Sequence, residues 1–242
     1  MNKDDFDLID DIQIKNLESE TSHFSSKPYV SPAVIRRLPR YFRYLRELIR
    51  NGKMRISSGE LSKMMNVTAS QIRQDLNCFG GFGQQGYGYN VKYLYAKISE
   101  ILGVNCNFKA IIVGAGNLGR ALVRNPMFTK RGVSTVAMFD IDKSLIGSTV
   151  AGVSVHSMED LEDFCRDNAI DIAVLTLPKE CAQEITERLA EAGVCGFWNF
   201  TGKELEMADG DIKVVNVHLG DSLMTLCYEL NQLRDETNKD ND

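Results

Sequence analysis

The stretch AIIVGAGNLG, residues 110–119, constrains this chain more than any other. Ala110, Ile111, Ile112 and Val113 form an unbroken apolar run, as in a parallel strand covered on both faces. Gly114, Gly116 and Gly119 follow in G-x-G-x-x-G spacing. In that spacing the first glycine permits a tight turn and the second lets the backbone approach a pyrophosphate. The third lets the next helix pack closely on the strand, its N-terminus attracting phosphate charge. A second apolar run, 136–139, ends at Asp140, about 20 positions past Gly119, where a carboxylate accepts ribose hydroxyls and repels a 2′-phosphate.

From residue 106 onward strand and helix patterns alternate. Strands are expected at 153–155, 170–177, 194–200 and 213–217, and helices at 158–169 and 179–192. Alternation of this kind gives a doubly wound parallel sheet, whose ligands sit at the carboxyl ends of the strands. That rule nominates the loops holding Thr176 and Pro178, and Asn199, for the far half of a dinucleotide. The last helix carries Leu219, Leu223, Leu226, Leu230 and Leu233, a seam of about two heptads that suits either its own domain or a partner subunit.

The 242 residues, 43% hydrophobic, suffice for one or two domains. No apolar run approaches the roughly 18 residues of a membrane span, and the acidic start MNKDDFDLIDDIQ lacks the basic and apolar parts of a secretory signal. Six cysteines lie scattered, with neither C-x-x-C nor metal-ligand spacing, as in a reducing cytoplasm. The net charge of −5 conceals a segregation: −4 over residues 1–30, +9 over 31–99 and −10 over the remainder. The middle segment is therefore built to meet a polyanion.

Residues 1–30 are polar and acidic and read as a disordered arm. Ser31 and Pro32 open a short turn, and Pro39 starts the main helix, decorated by Arg36, Arg37, Arg40, Arg43, Arg46 and Arg50 and stopped at Gly52. Two capping boxes, Ser57 with Glu60 and Thr68 with Gln71, open a pair of short helices in helix-turn-helix geometry. The second, 68–79, places Gln71, Arg73 and Gln74 near its start, where side chains reach base edges in a major groove. Alternating glycine and aromatic or amide residues over 80–89 suit a hairpin wing, followed by a helix at 90–102.

A helix-turn-helix and wing of this type, with the motifs ISS at 56–58, VTASQIR at 67–73 and FGGFG at 79–83, joined to VGAGNLGR at 113–120, closely resembles the Rex family of redox-sensing transcriptional repressors. The likeness covers roughly residues 31–233. It implies an N-terminal winged helix-turn-helix, a Rossmann domain and a C-terminal helix swapped in a homodimer. It also implies that an inverted-repeat double-stranded operator is released when NADH replaces NAD. The corresponding segments are an arm at 1–30, a DNA-binding domain at 31–104, an NAD(H)-binding domain at 105–218 and a dimerisation helix with tail at 219–242. The DNA-contacting set implied is Arg36, Arg37, Ser57, Ser58, Ser70, Gln71, Arg73, Gln74, Gln85 and Tyr87. The cofactor set is Gly114, Ala115, Gly116, Asn117, Leu118, Gly119, Asp140, Thr176, Pro178, Asn199, Asn125 and His218.

Several positions depart from the family pattern. Gln74 and Cys78 stand for a lysine and a tyrosine, Gly81 and Gln85 for a glutamate and an arginine, Asn125 for a tyrosine, and His218 and Leu219 for an aspartate and an aromatic residue. The resemblance implies that an acid at 218 pairs with the arginine matching Arg46, which a histidine would not reproduce. A divergent member with altered operator preference or sensing is the expectation. Two other functions share the fold: an NAD-dependent oxidoreductase, for which a catalytic acid or base is hard to find, and a nucleotide-gated interaction module that no longer reads DNA.

Overall fold

The computed structural model describes residues 30–78, 83–84, 88–207 and 210–239. The chain divides into two units, Met1–Asn105 and Cys106–Asp242.

In the first unit, helix α1 (Pro32–Arg50) opens with Ser31 as its cap and Pro32 at its first position. It does not break at Pro39, where the sequence suggests a fresh start; a single helix runs through. An internal proline costs about 3 kcal/mol by removing one hydrogen bond and crowding the carbonyl four residues back. Val34, Leu38, Tyr41, Phe42, Leu45 and Leu48 continue one buried stripe across it, and each large apolar side chain contributes about 1.5–3 kcal/mol. Burial wins. Strand β1 (Arg55–Ile56), helices α2 (Ser58–Met65) and α3 (Ala69–Asn77), strands β2 (Gly83–Gln84) and β3 (Gly88–Asn90), and helix α4 (Val91–Ile101) complete the unit. The three strands run in the order β1-β3-β2, so β2 and β3 form the wing hairpin. Leu38, Tyr41, Ile56, Leu61, Ile72, Leu76, Leu94 and Ile98 belong to its core.

In the second unit, β4 (Phe108–Val113), α5 (Asn117–Val123) and β5 (Val133–Asp140) form the first βαβ. Then come β6 (Thr149–Val150), β7 (Val153–Ser157), α6 (Leu161–Asn168), β8 (Ile172–Leu175), α7 (Ala182–Glu191), β9 (Gly196–Asn199), β10 (Lys213–Asn216) and α8 (Leu219–Lys239). The order β10-β9-β8-β4-β5-β7-β6 reverses direction at β4, the switch point of a dinucleotide-binding sheet. Among the described residues its strands pair in parallel except β6, a short antiparallel edge that the sequence did not announce. Alternate residues of the apolar runs enter opposite layers. Ile111, Val113, Ala137 and Phe139 pack with α6 and α7 residues, whereas Ile112 and Met138 pack with Ala115 and Phe128. A register shift between Ala110 and Ile111 leaves Val136 without a partner in β4, so this member of the second apolar run is exposed.

Candidate functional site

The glycine loop joins β4 to α5 and obeys distinct steric limits at its three glycines. Gly114 has φ +101°, and a Cβ there would lie 2.6 Å from the Thr176 carbonyl oxygen. A Cβ on Gly119 would lie 2.1 Å from the Gly114 carbonyl oxygen. Around Gly116, by contrast, nothing lies within 4 Å of the Cβ position. Two glycines thus close the turn and press the helix on it, and the third leaves open the space in front of the α5 N-terminus. That is the division of labour a bound pyrophosphate needs. Leu118 is half-buried, and Asn117 accepts from Arg120 at 3.1 Å.

Asp140 ends β5 beside this loop. Its Oδ2 accepts the Ala115 N–H at 2.6 Å and its Oδ1 the Asp142 N–H at 2.9 Å. Each carboxylate oxygen retains a second lone pair for a ribose hydroxyl.

The other expected cofactor residues divide. Thr176 directs its hydroxyl to the carbonyls of Gly114 (2.8 Å) and Val113 (3.1 Å), so it fastens the glycine loop from below. Pro178 is exposed in the following turn. Asn199 is only 1% exposed, and its carboxamide is fully spent. Its Nδ2 donates to Lys203 O and Asn216 Oδ1, and its Oδ1 accepts from Thr201 N and Oγ1. It has no capacity left for a ligand, which corrects its expected cofactor contact. Asn125 caps its own turn by accepting the Met127 N–H. It lines a cavity of about 300 Å³ with Arg124, Phe128, Thr129 and Thr135, at the far end of α5 from the glycines. His218 bonds Glu204 Oε1 through Nε2 at 2.8 Å, and Glu204 Oε2 accepts from Asn216. A hydrogen-bonded chain therefore runs Asn199, Asn216, Glu204, His218, from the end of β9 to the head of α8.

In the first unit the expected DNA-contacting residues meet around α3. The Ser57 box is complete: Ser57 Oγ accepts the Glu60 N–H, and Glu60 accepts from Ser57 N. Lys53 and then the Ser57 donors pull the exposed Glu60 carboxyl down to about 2. The Thr68 box is only half made. Thr68 Oγ1 accepts the Gln71 N–H, but the Gln71 side chain turns forward to Asp75 (2.9 Å). Ser70, Arg73 and Gln74 are exposed on α3, and Arg73 bonds Ser58 Oγ at 3.2 Å. Gln85 and Tyr87 lie outside the described residues.

Arg36 is exposed, whereas Arg37 is partly buried. Its Nε and Nη2 each donate to Asp75 at 2.7 Å, so these two donors of the guanidinium are held within the protein. Tyr41 Oη adds a fourth bond to Asp75 at 2.9 Å. Burial opposes ionisation of Asp75, but the bonds from Arg37, Gln71 and Tyr41 outweigh it and hold the carboxyl below its usual range. Sequence reasoning missed Asp75. Its signal was present: it is the one acid between residues 61 and 99, four positions after Gln71. Glu204 and Asn216 were also missed, and nothing in their spacing marks them.

Residues 105–202 match a family model described as a CoA binding domain, and residues 29–77 one described as a putative DNA-binding protein N-terminus. The redox-sensing transcriptional repressor Rex of Caldicellulosiruptor saccharolyticus is 52% identical over 206 residues, 85% of this chain and 94% of that protein. Rex of Clostridium perfringens is 48% identical over 205 residues, 85% of this chain and 96% of its own. Among solved structures, RSP with β-NAD+ and operator DNA is 50% identical with a TM-score of 0.81, covering 89% of this chain and 99% of that one. RSP with β-NADH is 48% identical at TM-score 0.80, covering 89% and 100%.

Proposed function

Because the chain belongs to the Rex family of redox-sensing transcriptional repressors, we propose that it binds operator DNA through α3 and the wing and lets go when NADH occupies the glycine loop. What carries this reading is that the likeness spans both units at once, so the helix-turn-helix and the dinucleotide fold are inherited together. The residues that would hold the cofactor are the backbone from Gly114 to Leu118 for the pyrophosphate and Asp140 for the adenosine ribose. The nicotinamide ring supplies the redox signal when bound; the protein's task is to distinguish its two states.

Asp140 also narrows the ligand. The adenosine ribose of CoA carries a 3′-phosphate and that of NADP(H) a 2′-phosphate, and both would meet the Asp140 carboxylate, whereas NAD(H) offers two hydroxyls. On the DNA side, Ser70, Arg73 and Gln74 face outward from α3, and Arg36 is exposed on α1 for a phosphate. Arg37 serves the same surface indirectly by holding α1 against α3. Leu219, Leu223, Leu226, Leu230 and Leu233 are all exposed on α8 and form the seam of a homodimer that binds an inverted repeat.

The protein is a regulator and not an oxidoreductase. The relatives it matches are transcriptional repressors, and His156 is packed against the rings of Phe139 and Phe164. The test is operator affinity by fluorescence anisotropy with NAD+, NADH and NADPH in turn. NADH should weaken binding, NAD+ should not, and NADPH should have no effect at matched concentration. The NADH absorbance should stay constant throughout. Equal operator affinity with NADH and NAD+ would overturn the sensing assignment.

A further inference from the structure

The Asp75 cluster bears on how Gln71 reads DNA. Asp75 is 1% exposed and accepts four hydrogen bonds: Arg37 Nη2 and Gln71 Nε2 on Oδ1, Arg37 Nε and Tyr41 Oη on Oδ2. Every lone-pair direction is occupied, and an ionised carboxylate has nothing to donate. Which end of a glutamine carboxamide is nitrogen is ordinarily a matter of assignment. Here chemistry decides it, because an Oε1 turned toward Asp75 would set two acceptors against each other in a buried place. Gln71 is half-buried on the first turn of α3, and its N–H is fixed by Thr68. Both its backbone and its amide are therefore held before any DNA arrives.

Resting on the proposed operator binding, we infer that Asp75 is a positioning residue that fixes the polarity of the Gln71 carboxamide, so that Gln71 presents its Oε1 to the base edge. An outward acceptor seeks a donor in the major groove, and only adenine N6 and cytosine N4 supply one. Adenine fits best, since the remaining Nε2–H can also reach its N7, while guanine O6 and thymine O4 would oppose Oε1. Without the carboxylate the amide is free to turn over and offer donors instead. Specificity at one base pair would thus be set by a side chain that never touches DNA.

The experiment is selection of duplexes from a randomised library by the full-length protein, followed by affinities for the four bases at each selected position. Gln71→Ala identifies the position that depends on Gln71, because preference should flatten there and nowhere else. In the natural protein that position should favour adenine or cytosine by about 5- to 150-fold over guanine or thymine. Asp75→Leu, which removes every acceptor facing Gln71, should flatten the preference there to less than about 3-fold and leave the other positions unchanged. Guanine or thymine at that position, an unaltered profile in Gln71→Ala, or an unaltered profile in a folded Asp75→Leu overturns the inference. If Asp75→Leu does not fold, the natural protein and Gln71→Ala still decide the polarity. Enrichment of no sequence at all would instead overturn the operator reading, and the inference with it.

Discussion

Gly116 and Gly119 stand three residues apart and predict opposite outcomes on gaining a methyl group. Gly119→Ala forces a Cβ against the Gly114 carbonyl and should destabilise the second unit by about 1–3 kcal/mol. Gly116→Ala meets open space, so stability should stay within about 0.5 kcal/mol while dinucleotide affinity falls at least about tenfold. Thermal melts and calorimetric titration separate the two. Arg36 and Arg37 are neighbours with a similar contrast. Arg37→Ala strands the buried Asp75 carboxylate and should cost about 3 kcal/mol in urea unfolding. Arg36→Ala should leave stability nearly unchanged but lower affinity for all DNA alike and reduce the salt slope by about 1. Because the Asp75 carboxyl is held below its ordinary value, its contribution is complete above about pH 4 and is lost as acid carries the pH down through the lowered value. Asp75→Asn should remove that part of the acid sensitivity, read as the pH dependence of the unfolding midpoint.

At the scale of elements, sequence pattern carried far where periodicity and covalent geometry act locally. The β4 run, the glycine spacing, Asp140 at the end of β5 and the Ser57 box all stand where spacing puts them, because each depends on residues within a few positions. Pro39 misled because local propensity lost to a buried stripe extending to both sides of it. Asn199 looked like a ligand residue because it ends a strand at the switch side of the sheet. Its carboxamide is instead consumed by Lys203, Thr201 and Asn216, the last of these 17 residues away, a long-range pairing that no local pattern encodes. The same holds for Arg37 and Asp75, 38 residues apart. Helix α8 was legible as a seam but not in its partner. Every residue from 219 to 234 is exposed, including Met224 and Tyr228 beside the leucines. Ending the chain at Gly220 should therefore abolish dimerisation, and a truncated protein that stays dimeric by light scattering would refute the seam.

For the whole molecule, the sensing prediction turns on the chain from Asn199 to His218. His218 brings Glu204 to the head of α8, so a carboxylate stands next to position 218 although the expected aspartate is absent. His218→Asp would set two carboxylates side by side, and Glu204→Gln would remove the one that His218 now holds. Both variants should alter the ratio of operator affinities measured with NAD+ and NADH; an unchanged ratio in both would exclude this chain from signalling. The exposed seam of α8 has a further consequence for the cell. If the proposed dimer is what holds an inverted repeat, two copies must meet first, so below the dimerisation constant operator occupancy would rise with the square of the amount of protein made. Under that reading gene dosage becomes a second input beside the redox ratio: halving expression would mimic a partial rise in NADH.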